Sequence, residues 1–182
     1  MMTHLKSKNT TFPFTEQSLY TIAIGNDKEE KKVIQSLTRL FSSSEREKIG
    51  YILKEPAFIH YFTILQNILL TVKLAKPKLR SPELLILDAL EESYISPDLA
   101  NKKIDSLTDE QKKEVQLIAS LCAEKKIILV DDWLKNENGP QLKNWIMIFK
   151  SLIKQKGLSI IVLTSDDNIA NLGDIQLSPA DL

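Results

Sequence analysis

SLTDEQKKEVQLIASLCAEKKIILVDDW, residues 106–133, places a capped helix, a buried strand and a pair of carboxylates in direct succession. Thr108 followed three residues later by Gln111 has the form of a capping box, and Asp109 and Glu110 suit the positive end of a helix dipole. From Gln111 to Ala123 the apolar residues Val115, Ile118, Ala119 and Cys122 recur at helical spacing. A short Lys-rich loop leads to Ile127-Ile128-Leu129-Val130, a run too short and too aliphatic for an exposed strand and suited to a buried parallel one. The strand runs straight into Asp131-Asp132. Carboxylates at the C-terminal end of a parallel strand stand where α/β sheets carry their sites.

The rest of the chain repeats this alternation. Leu19 to Ile24 reads as a buried strand ending at Gly25, and Glu29 to Phe41 as a helix carrying Val33, Ile34, Leu37, Leu40 and Phe41. Lys48 to Leu53 is a second short strand, stopped at Glu55-Pro56. Two helices, Phe62 to Leu74 and Pro82 to Ser93, follow without a strand between them, so about 62–106 reads as a helical subdomain. Gln141 to Gln155 is a helix with Leu142, Trp145, Ile146, Phe149, Leu152 and Ile153 on one face, and Gly157 is its stop. Leu158 to Thr164 is the next buried strand, and Asn171 to Leu177 adds one more. Residues 1–13 read as a polar tail. Strands alternating with helices imply one α/β domain over 1–182, with a mostly parallel sheet flanked by helices.

Composition narrows the function classes. A hydrophobic fraction of 43% and a charged fraction of 26% in 182 residues suit a soluble domain with a real core. Twenty-four basic and 24 acidic residues cancel, which argues against a nucleic-acid binder relying on bulk positive charge. The single cysteine, Cys122, excludes an intramolecular disulfide and a Cys-based zinc cluster, and its place on an apolar helix face reads as a core thiol. No metal site is read from the sequence. The N-terminal stretch MMTHLKSKNTTFPF lacks the apolar segment of a signal peptide, and no apolar run approaches the ~20 residues that span a bilayer. A membrane role therefore has to come through a partner.

Five segments, in order, resemble the motifs of the ATP-binding-cassette (ABC) ATPases, a branch of the P-loop NTPases. Gly25-Asn26-Asp27-Lys28-Glu29-Glu30-Lys31-Lys32 aligns without a gap on G-x-x-G-x-G-K-[ST], matching at Gly25 and Lys31. Ile49-Gly50-Tyr51-Ile52-Leu53-Lys54-Glu55-Pro56 and the following Phe62-Thr63-Ile64-Leu65-Gln66-Asn67-Ile68 resemble the Q-loop region, with Lys54 in the glutamine position. Leu107-Thr108-Asp109-Glu110-Gln111 stands where the family has its signature L-S-G-G-Q. Asp131 matches the Walker B Asp, and Asp132 the catalytic Glu one methylene longer. Leu163-Thr164-Ser165-Asp166 resembles the H-loop with Ser165 in place of the switch histidine. The resemblance spans roughly residues 19 to 177. It implies the P-loop NTPase fold with an inserted helical subdomain, and an N-terminal antiparallel β part that is reduced here.

The substitutions bear on chemistry. Lys28 and Glu30 replace glycines, and Lys32 replaces the hydroxyl that holds magnesium. A carboxylate ~4 Å from a phosphate costs about 1–4 kcal/mol in wet surroundings. A lysine at 54 cannot coordinate a metal. Residues 28–32 have a second reading as the charged first turn of a helix, and Asp109-Glu110 one as helix-stabilising acids. Phe12, Phe14 and Tyr20 are the only aromatics near the place of an adenine platform, and local packing accounts for them.

Three functional readings follow. In the first, the chain is a non-catalytic or strongly impaired ABC ATPase-like subunit acting through a membrane permease or a partner ATPase subunit, with no cofactor, and with Phe58 and Tyr61 on the partner surface. In the second, it is a divergent ATP-binding, ATP-hydrolysing transporter subunit or the degenerate half of an asymmetric dimer. ATP and magnesium are then its cofactors, with Gly25, Lys31, Lys54 and Asp131 on the nucleotide and Asp132 and Ser165 on the reaction. In the third, ranked below both, it is a soluble regulator that borrowed the fold, or one binding another anion through Lys28, Lys31 and Lys32. The resemblance implies a cytoplasmic protein, peripheral at the inner face of the cell membrane through its partner.

Overall fold

The computed structural model describes residues 14, 16–41, 46–93 and 96–182; the predicted polar tail and Phe12 lie outside the described residues. Its elements in chain order are β1 (Leu19–Ala23), α1 (Asp27–Leu40), β2 (Ile49–Ile52), α2 (Ile64–Ala75), α3 (Pro82–Glu92), α4 (Pro97–Ala100), α5 (Asp109–Cys122), β3 (Ile127–Val130), α6 (Gly139–Lys156), β4 (Ser159–Thr164), α7 (Asp167–Ala170) and β5 (Ile175–Leu177). The strands form one sheet in the order β2-β3-β4-β1-β5, and every pairing is parallel. That is the α/β architecture the alternation predicts.

Successive side chains of a strand point to opposite faces, and the two faces of this sheet have different partners. Leu19, Ile128, Val130, Ile160 and Val162 pack with Trp133, Trp145 and Phe149, the last two from α6. Tyr20, Ile22, Leu129, Ile161 and Leu163 pack on Val33 and Leu37 of α1 and on Phe14 and Phe41. Phe14 meets the Tyr20 ring edge-on at 5.0 Å and stacks on Phe41. Each fully buried large side chain contributes roughly 1.5–3 kcal/mol.

A third apolar cluster belongs to the helices between β2 and β3. Ile64, Ile68 and Val72 of α2 and Ile86 and Leu90 of α3 pack on Val115, Ile118 and Cys122 of α5. Leu117, on the other side of α5, joins the sheet cluster. The helix of the opening stretch is thus shared, one face closing the helical unit and the other seated on the sheet. Its approach to β2 is close: a Cβ on Gly50 would lie 2.4 Å from Ser120 Oγ.

Helix ends follow local chemistry. Thr108 and Gln111 form the predicted reciprocal capping box, and Thr63 with Gln66 forms a second. α1 begins at Asp27, two residues before its apolar periodicity does, because the Asn26 side chain caps it. α6 begins at Gly139 on the Asn138 cap and ends at Gly157, whose φ of 64° favours glycine. The four-residue helices α4 and α7 are too short to show a period in sequence.

Candidate functional site

Topology brings the strand-end residues together. β4 lies between β3 and β1, so Asp131-Asp132, Ser165 and Gly25 all emerge at the same C-terminal edge. Asp131 and Asp132 line a cleft of about 380 Å³ beside this edge, whose wall includes Lys31 of α1, Lys54 after β2, and Lys135.

The turn after β1 is filled by its own side chains. Asn26 Oδ1 accepts from the amides of Lys28 and Glu29, and Glu29 Oε2 accepts from the Gly25 amide at 2.5 Å. Residues 27–32 are the first helical turns of α1, so the amides that a phosphate loop leaves bare are engaged here by oxygens. Glu30 turns into the cleft, where its Oε1 accepts from the Asp132 amide at 3.0 Å. Lys31 is exposed at the cleft wall.

Both carboxylates after β3 are engaged as well. The two oxygens of Asp131 accept from the Lys54 amide, each at 3.0 Å, while the Lys54 side chain stays exposed. Burial pushes the Asp131 carboxyl up to about 6, the Lys54 amide opposing this and the Glu30 and Asp132 charges adding to it. Asp132 is buried. Its Oδ1 accepts from the Ser165 amide at 2.8 Å, and its Oδ2 from Ser165 Oγ at 2.6 Å and Lys135 Nζ at 2.5 Å. Lys135 Nζ also donates to Ser165 Oγ at 3.0 Å. The hydrogen bond to Asp132 first, and the charges of Asp132, Asp27 and Glu30 after it, hold the Lys135 ammonium above its usual range.

These residues fit a magnesium–phosphate group poorly. Lys32, where the resemblance implies a metal-binding hydroxyl, offers none, the Asp132 carboxylate faces an ammonium, and Glu30 adds a negative charge to the cleft. Among the described residues no group of three or more Asp, Glu, His or Cys side chains is placed to hold a metal ion.

The remaining predicted site residues lie elsewhere. Leu107 is buried in the helical cluster, and Thr108 to Gln111 form the cap and first turn of α5. Glu110 Oε2 is 3.5 Å from Gln141 Nε2 at the start of α6. Phe58 packs against the helical cluster and lines a separate groove of about 350 Å³ with Tyr51, Pro56 and Leu70. Tyr61 is 74% exposed, its ring edge-on to Phe62. Asn67 holds the preceding loop by bonding both the amide and the carbonyl of Ile59. Cys122 is buried, and its thiol is pushed up to about 11 by burial.

Three residues absent from the sequence-based site organise it. Lys135 binds Asp132, as above. Gln116 of α5 is paired in both directions with the Leu53 backbone, at 2.9 Å each, which fixes the segment carrying Lys54. Trp133 donates to the Ile52 carbonyl at 2.9 Å and receives Lys113 Nζ 4.2 Å from its ring centroid. A polar residue on the core-facing side of an amphipathic helix is the one signal that pointed to Gln116.

The fold matches that of the ABC ATPase cassettes. The chain resembles solved cassettes over nine-tenths of its length, among them the MJ0796 cassette dimer bound to ADP and Pi, with a TM-score of 0.69 at 19% identity over 91% of this chain and 82% of that one. CbiO1 of Clostridium perfringens, part of the ABC transporter complex cbiONQ, gives 0.69 at 18% identity, covering 90% and 73%. Its curated relatives are ABC transporter ATP-binding proteins. YclH of Bacillus subtilis, an uncharacterised ABC transporter ATP-binding protein, is 26% identical over 117 residues, 64% of this chain and 52% of YclH. LolD 1 of Chlorobium chlorochromatii, a lipoprotein-releasing system ATP-binding protein, is 26% identical over 129 residues, 69% and 51%. The chain spans about half the length of these two relatives. No family model matches it.

Proposed function

We propose that this chain is a cassette subunit of an ABC transporter whose own cleft is strongly impaired in ATP hydrolysis and which acts through a membrane permease or a partner ATPase subunit. The transporter assignment is supported by the relatives, all of them ATP-binding proteins of such systems. The impairment is carried by one observation: the polar groups at the strand-end edge and in the adjoining cleft are satisfied by the protein's own side chains. Asn26 and Glu29 take the amides of the first turn, and Lys135 and Ser165 take Asp132. Oxyanion stabilisation depends on donors that are free and aimed at the developing charge.

The relatives favour a second reading, in which the chain binds and hydrolyses ATP itself. Lys31 at the cleft wall would then reach phosphate after Glu29 releases Gly25. Calorimetric titration with ATP, with and without magnesium, separates the two. No heat to about millimolar ATP, with an unchanged melting temperature, is expected; saturable binding with turnover lost in the Asp132→Asn variant would establish the second reading. Among the described residues no helix is long and apolar enough to cross a membrane. Contact with a membrane is therefore assigned to the partner, and the surface around Phe58 and Tyr61 to its capture.

A further inference from the structure

The cleft carries more acid than base. Asp27, Glu30, Glu55, Asp131 and Asp132 line it against Lys31, Lys54 and Lys135, two more carboxylates than ammonium groups. A cleft built for nucleotide phosphates has the opposite balance. Asp132 is buried within it, with a side chain only 8% exposed, and a buried carboxylate needs a counter-charge. Among the described residues no set of acids is placed to hold a metal ion there. What meets Asp132 is a lysine from the short helical turn Leu134–Asn136, three residues further on.

We propose that the Lys135 ammonium is the resident cation of this cleft, a positioning residue that neutralises Asp132, ties it to Ser165, and makes the site independent of a divalent ion. It rests on the reading of the cleft as impaired in hydrolysis, and it says what replaces the metal. The geometry supplies each link. Lys135 Nζ bridges Asp132 Oδ2 and Ser165 Oγ, so one ammonium joins the end of β3 to the end of β4. Ser165 closes the ring by donating to the same Oδ2, and its amide holds Oδ1. Glu30 occupies the Asp132 amide and adds its charge on the side facing the lysine, as does Asp27 from the start of α1. Because Lys135 is tethered three residues from its partner, its local concentration is set by the chain and not by the ions in solution.

Chemical rescue of a lysine deletion tests this on the full chain without nucleotide. Lys135→Ala is expected to lower the melting temperature by about 2–4 °C, the shift of a ~1 kcal/mol loss at this size, and Lys135→Arg to keep it. Tens of millimolar ethylammonium should restore the alanine variant and leave the wild type unchanged, whereas ethanol at the same concentration should restore neither. No loss in the alanine variant, or the same response to ethylammonium in both proteins, overturns the proposal. Nitrogen-15 NMR of the lysine side chains is independent of whether that variant folds. The wild type should show a slowly exchanging NζH₃⁺ signal at neutral pH that is absent in the Lys135→Arg and Asp132→Asn variants. Absence of any such signal in the wild type refutes a held ammonium. Since no ATP is present, ATP binding in the separate titration would overturn the proposed function and leave these outcomes readable on their own.

Discussion

Lys113 and Glu137 offer a measurable test of how the helical unit is fastened to the sheet. Lys113 lies on α5 and Glu137 in the loop after β3; they meet at 2.6 Å with side chains only 11% and 10% exposed, and the ammonium sits over Trp133. Lys113→Met keeps the aliphatic stem and removes the charge. Breaking one side of a fully buried pair costs about 3–5 kcal/mol, because the other charge is left uncompensated. Residual exposure lets water reach Glu137 and moves the cost to the lower end, and the lost cation–π contact adds about 0.5–2 kcal/mol. We expect a loss of about 4 kcal/mol in urea denaturation, with an unchanged m-value. Pairing Lys113→Met with Glu137→Leu leaves two apolar side chains beside Trp133 and should recover stability to within about 1 kcal/mol of the wild type. The coupling between the two sites should then be at least ~1.5 kcal/mol. A Lys113→Met variant losing less than about 0.5 kcal/mol, or a double variant whose losses simply add, would refute the reasoning and leave apolar packing and the Gln116–Leu53 hydrogen bonds to fasten α5.

Three other outcomes follow from the site and its support. Asp131 has its carboxyl raised from 3.8 to about 6, so its ionisation opposes folding: the contribution is fully favourable below pH ~4 and is lost as pH rises through ~6. The shift corresponds to about 3 kcal/mol, which solvent reaching this partly exposed side chain reduces to about 1–2; subtracting the pH–stability curve of Asp131→Asn from that of the wild type should isolate this fall, and a flat difference would remove the assigned burial effect. Gly50→Ala should cost about 1–3 kcal/mol by overpacking, since its Cβ would meet Ser120 Oγ at 2.4 Å and Ser120 Cβ at 2.6 Å; adding Ser120→Gly should restore part of the loss, and an unchanged melting temperature would contradict the close approach of α5 to β2. Tyr61→Asp, at a side chain 74% exposed, should leave stability within ~0.5 kcal/mol but abolish co-purification with a permease or partner ATPase, and unchanged capture would remove this surface from the proposal.

The sheet was legible because its signal is redundant. Four of the five strands are fully apolar runs or nearly so, as strands buried on both faces must be, and amphipathic helices separate them in the order a parallel sheet requires. The capping box at Thr108 was readable for a related reason: it depends on two residues three apart, with no reference to the rest of the chain. Boundaries were less legible. α1 starts before its apolar period because Asn26 caps it, and α6 gains two residues at its start from the Asn138 cap and Pro140. β5 is shorter than its apolar pattern suggested, because α7 and a turn take up the residues before Ile175.

At the strand ends the sequence could be read for residue types and not for the partners those residues take. Charge type at Gly25, Lys31, Asp131, Asp132 and Ser165 could be compared with a phosphate-binding pattern one residue at a time, and each departure was weighed against a ligand. Such a comparison treats Glu30 as a repulsion toward a phosphate, whereas in the fold it is an acceptor for the Asp132 amide across 102 residues. Glu29 likewise reaches back to Gly25, whose amide its carboxylate satisfies. Lys135 could not be singled out at all, because one lysine in a loop following two aspartates has many possible neighbours. Only the parallel register that sets β4 beside β3 puts Ser165 within reach of both Asp132 and Lys135. Glu30, Lys135 and Ser165 are therefore coupled through Asp132. Ser165→His would break the ring around Asp132 without freeing the amides that Asn26 and Glu29 hold, so it should lower the melting temperature, and an unchanged one would remove the ring from the account.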